Sequence, residues 1–142
     1  MKIADLYLRV GTPVVADRSK SLQGQEEILR QYCKQNNIKV RKVIFEVCSG
    51  GTFNRPEWKK LMSDWLKNKG QVDLLLFTTW DRFSRSISDS LQMIVTLRSM
   101  GIEPQAVLQP KHSLQEVQQY NITLQDPIRE ILEDNWPRYL LN

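Results

Sequence analysis

Residues 72–78, Val72-Asp73-Leu74-Leu75-Leu76-Phe77-Thr78, form the most continuous apolar run in the chain. A run this short, without polar alternation, reads as a strand covered on both faces, the habit of a central strand in a parallel sheet. Its flanks agree. Upstream, Pro56 stands at the first turn of a helical pattern in which Trp58, Leu61, Met62, Trp65 and Leu66 recur before Gly70. Downstream, Trp80 to Ser86 reads as a polar turn. Ser88 to Met100 then reads as an amphipathic helix bearing Leu91, Ile94, Val95 and Leu97, stopped by Gly101, with a strand from Ile102 to Leu108. Toward the N-terminus, Ile3 to Val10 is a short apolar strand closed by Gly11-Thr12-Pro13. A helical pattern opens at Ser21, carries Ile28, Leu29, Tyr32 and Cys33, and ends at Asn36-Asn37. Val40 to Phe45 reads as a strand, and Cys48-Ser49-Gly50-Gly51-Thr52 as a flexible loop. Strands and helices therefore alternate, which predicts an α/β domain with a mainly parallel central sheet flanked by helices.

Composition sets the outer bounds. The 142 residues suit one domain, and 41% hydrophobic with 25% charged residues excludes global disorder or a fibrous repeat. The longest apolar run is far short of the roughly 20 residues that span a bilayer, and no signal-peptide pattern opens the chain. The expectation is a cytoplasmic protein with no membrane partner. Cys33, Cys48 and the single His112 make neither a disulfide framework nor a zinc site, so no metal or other cofactor is expected. The net charge of +4 is unevenly spread. Residues 1–110 hold 17 Lys+Arg against 11 Asp+Glu, whereas residues 111–142 hold 3 against 5. A basic body suits a polyanion, whose neutralised phosphates release counterions. A solubility charge explains the same imbalance, so charge permits nucleic acid without identifying it.

In parallel α/β sheets, function collects at the carboxyl ends of the strands, which selects the loops 11–20, 47–55 and 79–86. Four arginines fall on that edge: Arg9, Arg55, Arg82 and Arg85. Converging guanidinium groups suit a phosphate, which they grip bidentately. Arg82 and Arg85 share a face if their loop begins a helical turn. Asp81 is placed to orient an arginine or to move a proton. Any one of these arginines alone reads as a solvated surface charge; four at strand ends read as a site. Elsewhere the plainer readings prevail. Trp58, Trp65 and Phe77 are core residues, and Lys59, Lys60, Lys67 and Lys69 are a solvated helix face. Cys48 is a passive thiol, reactive only if its environment stabilises the thiolate, and His112 has no assigned role.

These residues also carry a resemblance. Tyr7-Leu8-Arg9-Val10-Gly11-Thr12, Ser21-Leu22-Gln23-Gly24-Gln25, Ser49-Gly50 with Arg55-Pro56, and Asp81-Arg82-Phe83-Ser84-Arg85 stand in the order and spacing of the resolvase/invertase family. The chain resembles the N-terminal catalytic domain of these serine site-specific recombinases over about residues 2–110, and is similar to those of mobile elements in Bacteroides-type bacteria. The resemblance implies the same α/β fold and a DNA substrate. It implies cleavage by serine attack on DNA phosphodiesters, with strand exchange and rejoining through a covalent phosphoserine and no metal or nucleotide cofactor. By position, Arg9, Arg82 and Arg85 would bind the scissile phosphate, joined by Arg55, with Asp81 assisting proton transfer or holding an arginine. Gln25 and Ser49 would be supporting polar residues.

The nucleophile position departs from the pattern. The family reads Arg-Val-Ser-Thr where this chain has Arg9-Val10-Gly11-Thr12, and Gly11 has no hydroxyl. Thr12 points to the opposite face of an extended segment, and Ser84 belongs to the third-loop pattern, so neither replaces it. Gly11 reads either as a permissive backbone position or as the mark of a catalytically dead recombinase domain. The tail departs as well. Lys111 to Gln125 is polar and Gln-rich, Asp126-Pro127 opens a short helical pattern, and Pro137 interrupts it. The expected organisation is a catalytic domain over 1–110 and a divergent tail over 111–142, without a DNA-reading domain. Three functions remain open. One is a recombinase domain inactive alone, touching the phosphate backbone of DNA, as a homo-oligomer or with an intact homologous recombinase. Another is a non-catalytic regulatory partner of such a recombinase. The last is a small phosphate-ligand-binding α/β domain, weakened by the absence of a glycine-rich phosphate loop.

Overall fold

A computed structural model of the chain describes residues 1–11 and 15–109, with side chains described outside 15–20. The elements follow as β1 (Lys2–Val10), α1 (Val15–Gln35), β2 (Ile38–Val47), α2 (Pro56–Lys67), β3 (Leu74–Phe77), α3 (Trp80–Phe83), α4 (Ile87–Ser99) and β4 (Glu103–Ala106). The four strands form one sheet in the order β2-β1-β3-β4, and every neighbouring pair is parallel. β1 and β3 are therefore the interior strands, as the VDLLLFT run implied for β3.

Period-two alternation sends the interior strands' side chains into two cores. Leu75 and Phe77 of β3, with Tyr7 of β1, pack against Trp58, Leu61 and Trp65 of α2 and Leu91, Ile94 and Leu97 of α4. On the opposite face Ala4, Leu6 and Leu8 of β1, with Leu74 and Leu76 of β3, meet Leu29 and Cys33 of α1. Trp58, Trp65 and Phe77 are core residues, as read from their spacing. Gly101, at φ 79°, closes α4 and turns the chain into β4.

The register of β1 against β2 shifts once, between Ala4↔Val40 and Asp5↔Lys42, leaving Arg41 as the extra residue. This bulge aims Arg41 at the one acidic residue in the middle of β1. Its guanidinium donates to both carboxylate oxygens of the buried Asp5, at 2.9 and 2.6 Å, and to Asp64 of α2 at 2.7 Å. Trp65 Nε1 completes Asp5 at 2.8 Å.

Two local expectations need correction. The first helix begins at Val15, not at Ser21. Residues 15–20 carry no apolar stripe, so hydrophobic periodicity could not see that helical stretch. The helix consequently takes up residues 15–20 of the expected edge loop 11–20. The segment 80–86 is not simply a polar turn, because Trp80–Phe83 forms one helical turn. Phe83 is buried and stacks on Phe77 with ring centroids 4.7 Å apart, so tertiary packing folds a stretch that looked polar. Ser84 returns to extended backbone, and Arg85 stands outside the turn, so Arg82 and Arg85 do not share a helical face. Thr12 and the tail 111–142 lie outside the described residues. Among the described residues no helix is long and apolar enough to cross a membrane, and no cluster of His, Cys, Asp or Glu could hold a metal ion.

Candidate phosphate site

The C-terminal end of β1 organises the site. Alternation places Asp5, Tyr7 and Arg9 on the α2 face of β1, and each is fully buried. Arg9 is held from both ends. Its backbone N–H donates to Gln25 Oε1 at 3.2 Å, and Gln25 Nε2 donates back to the Arg9 carbonyl at 3.1 Å. Gln25 of α1 thus serves the backbone of β1 beyond its last pair with β3, Leu6↔Leu76. Ser21 Oγ in turn accepts from Gln25 Nε2 at 3.3 Å.

The Arg9 guanidinium reaches across both neighbouring loops. Nε donates to the Arg82 carbonyl at 2.8 Å, Nη1 to the Cys48 carbonyl at 2.9 Å and Nη2 to the Asp81 carbonyl at 2.5 Å. A guanidinium has five N–H groups, and three are spent on these carbonyls, so among the described residues one on each Nη has no acceptor. Arg9 is thus a pin between the second and third loops. Arg82 Nη1 answers by donating to the Arg9 carbonyl at 3.3 Å.

Arg55, also buried, stands just before α2. Nε donates to the Thr52 carbonyl at 2.8 Å and Nη1 to the Tyr7 hydroxyl at 3.1 Å, while the guanidinium lies 4.4 Å from the Phe53 ring centre. The Tyr7 hydroxyl in turn donates to Glu46 Oε1 at 3.1 Å. Glu46 accepts two backbone N–H groups at the start of α2, from Trp58 at 2.9 Å and Glu57 at 3.1 Å. A buried carboxylate thereby satisfies a helix N-terminus and, through a phenol, steadies an arginine. Burial pushes the Tyr7 phenol well above its ordinary range, against the opposing pull of Arg55.

Arg82 is half-buried and Arg85 exposed. The two loops carrying these residues are fastened at Gly50, whose carbonyl accepts from Arg85 N–H at 2.8 Å and from Ser84 Oγ at 3.2 Å. A Cβ on Gly50 would stand 2.6 Å from Arg9 Nη2 and 2.8 Å from its Cζ, so only glycine permits this approach. Asp81 contributes its backbone carbonyl to Arg9, while its exposed carboxylate accepts from the Thr79 hydroxyl. Ser49 Oγ accepts from Gly51 N–H at 3.1 Å and shapes its own loop. Cys48 is half-buried, its Sγ 3.9 Å from the Asn54 carbonyl.

The structure therefore brings Arg9, Arg55, Arg82 and Arg85 together, and among the described residues none of the four forms an ion pair with a carboxylate. Burial lowers Arg9 to about 10, and Arg55, Arg85 and Arg82 add to the lowering by repulsion while Tyr7 offsets part of it. Such a cluster has the charge and donor set that suit an anion. Gly11 lies at its mouth, exposed. Its φ is outside the left-handed region, so no positive φ calls for glycine there. A Cβ on Gly11 would sit 3.8 Å from both Arg9 Nη1 and the Cys48 carbonyl oxygen, which is ordinary contact. Sequence reading missed Tyr7, Glu46 and Gly50 as members of this network. The visible signals were a tyrosine two residues before Arg9 and a lone acid closing an otherwise basic and apolar strand.

The fold and the site together define a parallel α/β domain with clustered arginines at the carboxyl edge of its sheet. Within that class, the model of the family described as "Resolvase, N terminal domain" matches residues 4–132, and the chain belongs to that family of serine recombinase catalytic domains. Solved structures agree in fold. The C-terminal catalytic domain of ISC1926 TnpA, an IS607-like serine recombinase, is similar at 25% identity over 84% of this chain and 77% of that one, with a TM-score of 0.65. The N-terminal catalytic domain of TP901-1 integrase is similar at 22% identity over 94% and 96%, with a TM-score of 0.71. A resolvase family site-specific recombinase from Streptococcus pneumoniae is similar at 19% over 95% and 90%, with a TM-score of 0.68. No curated protein matches the chain.

Proposed function

We propose that this chain is a recombinase-type domain that grips DNA phosphates but cannot make the covalent protein–DNA link by itself. The observation that carries the reading is the cluster of four guanidinium groups without a carboxylate partner among the described residues, with a glycine at its mouth. In this reading Arg82 and Arg85 meet the phosphate first, and Arg9 and Arg55 stabilise its charge from below. Gln25, Tyr7 and Glu46 keep the two buried arginines in place, and Asp81 does so through its carbonyl. Gly11 occupies the position of the attacking serine and supplies no nucleophile. Residues 1–110 form the unit that holds this site, 111–142 is a divergent tail, and the working form is an assembly of copies or of this chain with an intact homologue, in the cytoplasm.

The test uses a pool of nicked duplexes of random sequence and looks for protein–DNA adducts that survive denaturation. The chain as it stands is expected to give none, and Gly11→Ser to give an adduct, since a serine Cβ meets only ordinary contacts. An adduct formed by the unsubstituted chain would overturn the inactive reading. An intact homologue that loses recombination on co-assembly with this chain would assign it the regulatory role.

A further inference from the structure

Helix α2 carries basic side chains outside the arginine cluster but in line with it. In a parallel sheet the crossover helices run against the strands, so α2 starts at the carboxyl edge, with Arg55 at its N-cap. The Arg55 carbonyl accepts from Lys59 N–H at 3.0 Å, which sets Lys59 one helical turn further on. Ser63 and Lys67 follow at the same four-residue step. Lys59, Lys60, Ser63, Asp64 and Lys67 line one open hollow on this side of the helix, and all but Asp64 are exposed.

The acids of α2 do not cancel this charge. Glu57 is paired with Lys60 at 3.1 Å, and Asp64 with Arg41 at 2.7 Å and Lys42 at 3.3 Å, both from β2. Lys59 and Lys67 form no ion pair among the described residues. A face built only for solvation would tend to pair such lysines along the helix; here both acids of the helix are taken by other cations. Two turns separate Lys59 from Lys67, about 12 Å along the axis. One strand of a duplex presents a phosphate about every 3.4 Å of its axis. A strand held at the arginine cluster therefore has further phosphates to offer over the length of α2. The hollow is open, which suits a backbone lying along it better than a small anion enclosed by it.

We propose that the Lys59–Ser63–Lys67 side of α2 is a second phosphate-contact surface, along which the DNA duplex flanking the gripped phosphate runs. The inference rests on the phosphate-gripping reading above and extends it. Lysine ammonium groups on flexible stems meet the backbone as point charges, so this surface adds affinity and orients the duplex without reading its sequence.

The test titrates the full chain into a fluorescent duplex of about 30 base pairs at several sodium chloride concentrations. Lys59→Ala and Lys67→Ala are each expected to lower the slope of log affinity against log salt by about 0.9, and the double variant by about 2. Between about 50 and 200 mM salt the double variant should therefore lose about tenfold less affinity than the unsubstituted chain. A duplex of shuffled sequence should show the same changes. Lys34→Ala removes the same charge from α1, which covers the opposite face of the sheet, and should leave the slope unchanged. An unchanged slope in either lysine variant of α2, or a loss matched by Lys34→Ala, overturns the inference; a lowered slope in Arg82→Ala/Arg85→Ala then leaves the phosphate-gripping reading standing. An unchanged slope in Arg82→Ala/Arg85→Ala, or failure to bind the duplex at all, overturns both.

Discussion

Two glycines near one guanidinium show how much a single residue's meaning depends on place. Gly50 and Gly11 both approach Arg9, but a Cβ on Gly50 would collide at 2.6 Å, whereas one on Gly11 rests at 3.8 Å. The collision at Gly50 is not with a free side-chain tip, because the guanidinium is tied to three carbonyls. Gly50→Ala is therefore expected to cost about 1–3 kcal/mol, as overpacking does, and to weaken phosphate binding. Gly11→Ala should stay within about 0.5 kcal/mol, as surface changes do. Urea unfolding midpoints compare the two directly. In sequence, Gly50 read only as part of a flexible loop, because a close approach between segments far apart in the chain leaves no local pattern.

Strand β2 carries two of the interactions that set the elements in place. Its bulge delivers Arg41 to Asp5 and Asp64, and its last turn inward delivers Glu46 to the start of α2. Arg41→Ala would leave Asp5 buried with only Trp65 as a side-chain partner, and is expected to cost about 3–5 kcal/mol, as breaking a buried pair does. Glu46→Ala removes the acceptor from two helix N–H groups and should cost about 1–2 kcal/mol; loss of far-ultraviolet ellipticity against urea reads both. Acid tests the same element. Hydrogen bonding to Arg41 holds Asp64 below its ordinary carboxylate value against the opposing effect of burial, with further help from Lys42. The folded form therefore binds this proton less readily, so the stabilisation is present above the ordinary value of about 4 and is lost as pH falls through the depressed one. Unfolding free energy measured from pH 6 to pH 2 should fall, and Asp64→Asn should flatten that fall. The mixed strand pattern around Val40 to Phe45 showed that β2 exists, while the extra residue at Arg41 became visible only once β1 lay beside it.

For the whole molecule, the balance of accessible and buried cations decides how DNA is met. Arg82 and Arg85 are the solvent-facing members of the cluster, so substituting both by alanine should reduce the slope of log affinity against log salt by about 2, each contact contributing about 0.9 on duplex DNA. Titrating a fluorescent duplex at several sodium chloride concentrations measures it, and an unchanged slope would place the DNA elsewhere.

The sequence by itself determined the alternation of strands and helices, the doubly covered character of residues 72–78, the arginine-bearing loops and the family pattern. Each of these is written in local periodicity or fixed spacing, which survives in one dimension. Tertiary structure alone decided the order β2-β1-β3-β4, the helical turn at Trp80–Phe83 and the burial of Arg9 and Arg55 beneath half-buried Arg82 and exposed Arg85. The reason is physical. Arg9 is held by carbonyls of Cys48, Asp81 and Arg82, and every residue offers a carbonyl, so nothing in the side-chain sequence marks which ones will accept.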